Sequence, residues 1–152
     1  MIAKYMNNYF CIDTTVAPIQ IWSYSPVEGF EKKSTRRGTV YYEKFVDLSE
    51  IDEVFDVGFS ALWNGNWCGV HYSAKTDEVG LYSNNPSFAK EFGMREIERF
   101  AYEIVVPAKS VGQYKFIYKD AINKTEREEI ISLEQLRKLW AQFKTDLMPP
   151  RS

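Results

Sequence analysis

The stretch Val57-Gly-Phe-Ser-Ala-Leu-Trp-Asn-Gly-Asn-Trp-Cys-Gly-Val-His-Tyr-Ser73 limits what this chain can fold into more than any other. Two alternating runs meet at Asn64-Gly65-Asn66, where Asn and Gly supply the positive φ of a tight turn, so the segment is expected to be a β-hairpin. Side chains in a strand alternate with a period of two. A turn centred on Asn64-Gly65 or on Gly65-Asn66 therefore leaves Val57, Phe59, Ala61 and Trp63 on one face with Cys68, Val70 and Tyr72. That face is expected to be core. The opposite face carries Gly58, Ser60, Leu62, Trp67, Gly69 and His71, with small residues that leave room for a helix or a ligand.

A third strand over Val79–Ser83, after a turn around Lys75-Thr-Asp77, makes a meander. Asn84 to Gly93 then reads as a short helix, with Asn85 as N-cap, Pro86 at the first helical position, Gly93 as the stop, and Phe88 and Phe92 on one side. Further strands are expected at Tyr9–Ile12, Ile19–Tyr24, Thr39–Val46, Arg99–Val106, Tyr114–Tyr118 and Arg127–Ile131, with Ser25 to Gly38 a polar loop. Ser132 and Gln135 form a capping-box pattern. Leu133, Leu136, Trp140, Phe143 and Leu147 follow at spacings of three and four, an amphipathic helix ended by Pro149-Pro150. Tyr42–Ile51 and Tyr102–Val111 overlay at an offset of 60, which suggests a strand, short helical turn, strand unit used twice. The fold class expected is α+β: one twisted, mainly antiparallel sheet with a short helix and a C-terminal amphipathic helix packed on it, a single domain over 1–148 and a tail at 149–152.

Several chemistries are disfavoured. With 19 basic and 21 acidic residues in 152, the net charge is −2, which gives no overall attraction to phosphate backbones or anionic membranes. The start lacks a basic region followed by an apolar core, and no stretch is long enough to span a bilayer, so a cytoplasmic protein is expected. Cys11 and Cys68 are too few for a disulfide framework. Cys68 and His71 lie three apart in a strand and point to opposite faces, so they cannot share a metal or form a thiol dyad, and no second histidine exists. Glycines have no phosphate-loop spacing, and the adjacent acids Asp77-Glu78 and Glu128-Glu129 read as solvated surface. Neither a metal nor a cofactor is expected, and no catalytic residue is assigned. Lys32, Lys33, Arg36 and Arg37 sit in the polar loop without interleaved aromatics, which argues against nucleic acid.

The sharper charge feature is Glu43, Asp47, Glu50, Asp52, Glu53 and Asp56, six acids with only Lys44 among them. With Trp67 and His71 they make a candidate docking surface for a basic protein, since opposed fields speed encounter and a buried aromatic anchors contact. Tyr82-Ser-Asn-Asn-Pro-Ser-Phe-Ala-Lys-Glu-Phe-Gly-Met94, followed by Tyr102-Glu-Ile-Val-Val-Pro-Ala-Lys-Ser-Val111, resembles the strand, helix, strand passages of small immunity proteins of bacterial polymorphic-toxin systems. That resemblance implies a cytoplasmic, non-enzymatic inhibitor that binds and blocks a cognate toxin domain, with the acidic segment suited to a basic toxin. The rival expectation is a small enzyme or ligand-binding regulatory module on the Gly58, Trp67, Gly69, His71 face.

Overall fold

The computed structural model describes residues 1–150. Strands make up 51% of the chain, so the α+β expectation holds in a sheet-dominated form with little helix. Packing divides the chain into two compact units: the first takes Met1–Asp56, Lys119–Glu126 and the chain from Ala141, the second Val57–Tyr118 and Arg127–Trp140.

The first unit contains β1 (Ile2–Tyr5), β2 (Asn8–Asp13), β3 (Ile19–Ser23), β4 (Glu31–Ser34), β5 (Val40–Val46) and the start of β6 (Glu53–Trp63), in the order β4-β5-β3-β2-β1-β6. Its pairs are antiparallel, and alternation sends Ala3, Tyr5, Phe10, Ile12, Ile21, Val46 and Val54 to one buried face. Phe30 closes that face, stacked on Phe10 at 5.0 Å between ring centroids. On the other face Phe143 meets Tyr9 and Phe55 edge-on at 5.0 and 5.6 Å.

Two features here differ from the sequence reading. The segment read as a polar loop contains β4, whose Glu31, Lys32 and Lys33 look like loop residues because charge is how an exposed edge strand avoids pairing with another chain. The chain before Tyr9 forms a hairpin of β1 with β2, turned by Met6 and Asn7 at φ 48° and 62°.

The second unit takes the rest of β6, β7 (Asn66–Ser73), β8 (Glu78–Ser83), helix α1 (Pro86–Glu91), β9 (Arg95–Glu98), β10 (Ala101–Pro107), most of β11 (Gln113–Asp120) and of β12 (Glu126–Ile131), and helix α2 (Leu133–Trp140). Its order is β6-β7-β8-β10-β9, with β11 pairing β6 and β12. The predicted hairpin is present with its turn on Asn64-Gly65: Trp63 pairs with Asn66 and Ala61 with Cys68, and Phe59, Ala61, Cys68 and Tyr72 are buried. The Asn85 side chain caps α1 by accepting from the Phe88 N–H at 3.2 Å, and Gly93 follows at φ 74°. Ser132 and Gln135 exchange both bonds of the capping box, at 2.8 and 3.1 Å.

The overlaid segments form the expected unit twice. β5 runs into a 3-10 turn at Leu48–Glu50 and then β6, and β10 runs into one at Ala108–Ser110 and then β11. The long C-terminal helix is corrected. The α-helix stops at Trp140 and gives way to a π-helical turn over Ala141–Thr145, with the Asp146 N–H donating to the Ala141 carbonyl five residues back. A wider turn shifts the side-chain phase. Leu136 and Trp140 therefore serve the second unit's core, whereas Phe143 packs in the first.

Candidate functional site

The eight residues singled out from the sequence do not make one cluster within either unit. All six acids belong to the first unit, and Trp67 and His71 belong to the second. Glu43 is withdrawn from the exposed set: it is only 8% exposed, pairs across the strands with Trp22, and its Oε2 accepts from the Gln20 side-chain amide. Its burial comes from Gln20 and Trp22 on the adjacent strand, partners that lie more than twenty residues away in sequence. Asp47, Glu50, Asp52 and Asp56 are exposed and Glu53 is half-buried. Two of them have structural partners: Glu50 Oε2 accepts from the Asp47 N–H at 2.8 Å, fixing the 3-10 turn, and Asp56 lies 3.3 Å from the Met1 amino group.

The hairpin face opposite the core is the more informative surface. Register carries it across two further strands: Leu62 pairs with Trp67, Ser60 with Gly69, Gly69 with Tyr82 and Tyr82 with Glu103, while His71 pairs with Gly80 and Gly80 with Val105. Trp67 is 41% exposed and Val105 53%, and Gly69 and His71 are exposed as well. Helices α1 and α2 bury their apolar sides, Phe88, Leu136 and Trp140, in the core with Phe59 and Tyr72, on the other face.

Above Gly58 and Gly69 an added Cβ would make only ordinary contact, whereas Gly80 is more closely covered. A Cβ on Gly58 would meet Ile117 at 3.7 Å, one on Gly69 would meet Tyr82 at 3.7 Å, and one on Gly80 would meet Glu103 and Tyr82 at 3.3 and 3.4 Å. The glycines thus let neighbouring side chains lie across the sheet. Lys115 does so over Trp67, its Nζ 4.3 Å from the ring centroid, and also reaches Glu128 at 3.4 Å. His71 meets the Trp140 ring edge-on at 5.3 Å.

Titratable groups in the second unit are used for support. Asp77, read from sequence as solvated, accepts from the Tyr72 hydroxyl at 2.7 Å and from Arg137 in a bidentate pair at 3.1 and 2.8 Å. Arg137 first, then Tyr72, holds its carboxyl below the usual carboxylate range. Tyr114 donates to the Ala108 carbonyl at 2.7 Å, and burial pushes its phenol up to about 12. Cys11 and Cys68 are free thiols, and burial pushes both up, the reverse of what an activated nucleophile needs. By register Cys68 faces the core with Ala61, and His71 faces away with Gly80. Among the described residues no group of three or more His, Cys, Asp or Glu is placed to hold a metal, and no helix is long and apolar enough to cross a membrane.

Sequence reasoning missed a groove of about 840 Å³ in the first unit, at the end of the β1–β2 hairpin. Phe10, Phe30, Met6 and Val27 make its apolar lining, and the Lys44 Nζ donates to the Tyr5 hydroxyl at 2.9 Å on its wall. Its signal, Phe10 with Phe30, lies twenty residues apart, and Phe30 falls in the segment read as a polar loop.

Searches of curated proteins and of solved structures match nothing. A family model does match, over residues 2–138, spanning the strands of both units and most of α2. The chain therefore belongs to the family described as uncharacterised conserved protein UCP033725.

Proposed function

We propose that the protein is a cytoplasmic, non-enzymatic inhibitor of the immunity type, which binds a partner protein on the open sheet face around Trp67. Trp67 is the chief support. A large aromatic ring 41% exposed beside the hairpin turn, with Lys115 over it, gains contact when a partner covers it. Val105, on the same face two strands away, adds apolar area, and Glu103, Lys115 and Glu128 supply mixed charge on that face. The exposed acids Asp47 and Asp52 act through the long-range field of the chain, favouring a basic partner such as a nuclease toxin domain.

Association kinetics against any toxin domain found encoded next to this gene, at two salt concentrations, test the proposal. Trp67→Ala is expected to raise the dissociation rate at least tenfold with little change in association. Asp47→Lys with Asp52→Lys is expected to slow association and flatten its salt dependence. Binding that ignores Trp67→Ala removes this face as the interface.

A further inference from the structure

The basic loop residues Arg36 and Arg37 gain in the fold the aromatic neighbours that their sequence context lacks. They occupy the two central positions of a turn from Thr35 to Gly38. The Gly38 N–H donates to the Thr35 carbonyl at 3.0 Å, the Thr35 N–H to the Thr39 carbonyl at 2.9 Å, and the Thr39 N–H to the Thr35 hydroxyl at 3.1 Å, with Gly38 at φ 85°. Three bonds over five residues fix the turn that presents both guanidinium groups.

This turn borders a cleft of about 580 Å³ lined also by Gln20, Trp22, Tyr24 and Tyr41, within the roughly 300–1,000 Å³ common for small-ligand sites. Strand periodicity brings the rings together. Ile21 between Gln20 and Trp22 is fully buried, so Gln20 and Trp22 face away from the core, and so does Tyr41, which is two residues from Glu43, the cross-strand partner of Trp22. All three rings are half-buried, and the Trp22 indole N–H donates to the Tyr24 hydroxyl at 3.4 Å. Nearby acids are engaged elsewhere: Glu31 lies 3.2 Å from Lys33, and Glu43 takes the Gln20 amide hydrogen, which leaves the Gln20 carbonyl oxygen to accept. Among the described residues neither Arg36 nor Arg37 has an ion-pair partner.

We propose that this cleft binds a nucleotide-type ligand, with a planar base against the Trp22, Tyr24 and Tyr41 rings and a phosphate held by Arg36 and Arg37. Stacking on an aromatic ring is tolerant of base identity, and paired arginines match phosphate oxygens in a way a lone surface cation does not. The Gln20 carbonyl can accept from an exocyclic amine of the base. The cleft lies wholly in the first unit and is independent of the Trp67 face.

Isothermal titration of the whole protein at low salt tests this with four probes: AMP, adenosine, inorganic phosphate and an oligoadenylate hexamer. Saturable binding of AMP or the hexamer is expected, with adenosine and inorganic phosphate each at least tenfold weaker than AMP. Arg36→Gln with Arg37→Gln is expected to weaken AMP binding at least tenfold, and Trp22→Ala similarly, while the unfolding transition of the exposed-turn variant stays unchanged. A hexamer that binds more tightly than AMP, and more so as salt falls, identifies a single strand as the source. Equal affinities identify a free nucleotide. Absence of binding by both AMP and the hexamer overturns the proposal, as does inorganic phosphate binding as well as AMP, or AMP binding unaffected by the arginine changes.

Discussion

The β1–β2 and β6–β7 hairpins turn the chain with nearly the same backbone, and only one of them could be read in advance. Asn64 and Gly65 sit at φ 50° and 78°, Met6 and Asn7 at 48° and 62°. Asn-Gly adopts this left-handed pair at little cost, because the short Asn side chain can bond the local backbone and Gly has no Cβ, whereas Met at the first position has a Cβ without that compensation. A third turn shows another solution: Asp77 stands at φ 53° with its carboxylate tied to Tyr72 and Arg137. A left-handed turn can thus be set by its own residues, by a tether, or by the strands that it joins. Met6, 71% exposed, relies on the strands that it joins and on Asn7 beside it, which tolerates the left-handed region.

The largest test concerns those strands. Phe10 and Phe59 are buried, one in each hairpin, and replacing either by Ala is expected to cost about 3–5 kcal/mol in urea unfolding. A Phe10→Ala loss several-fold below that of Phe59→Ala would break the parallel and leave the Met6 turn without its explanation. Gly65→Ala should cost about 1 kcal/mol, because only the turn residue is disturbed. Met6→Asn should stabilise by about 0.5–1 kcal/mol, since the strained residue is replaced by one that tolerates the left-handed region. No gain would mean that the Met6 side chain compensates through contacts along the groove.

The smallest effect at neutral pH is expected from Arg137→Met, because Arg137 and Asp77 are each a third or more exposed and the pair is screened. Its signature is in the pH dependence. The folded-state carboxyl of Asp77 titrates below its unfolded value, so its contribution is complete above the ordinary carboxylate range and disappears as pH falls through the folded value. The variant should lose less stability than the natural protein over that acid window, and the two curves should converge at its lower end. Parallel curves down to the acid limb would show that the tether does not hold the turn.

Legibility followed the range of the interactions. The Asn64-Gly65 turn, the Asn85 cap and the Ser132-Gln135 box were readable because the deciding atoms lie within a few residues. The repeated strand and 3-10 turn at Leu48–Glu50 and Ala108–Ser110 was readable for the same reason. Glu43 was misplaced because its burial depends on Gln20 and Trp22 across the strand ladder. β4 was missed because an edge strand and a loop both favour charge, and the Arg36, Arg37 cleft because its rings come from β3 and β5. The π-helical turn left no mark, since Phe143 keeps a helical spacing from Trp140 while packing on Tyr9 and Phe55 instead of in the second unit's core.

The chain passes from one unit to the other after Asp56, Tyr118, Glu126 and Trp140. Order of synthesis then becomes a constraint. The first five strands are made early, yet Phe143, which packs on Tyr9 and Phe55, follows the whole of the second unit in the chain. The second unit is likewise incomplete until α2 has emerged. Tyr9 and Phe55 therefore wait for Phe143 throughout the synthesis of the second unit, and their aromatic surface stays open for that interval. For the same reason no single cut yields either unit alone, and a chain ending at Trp140 exposes Tyr9 and Phe55 to solvent.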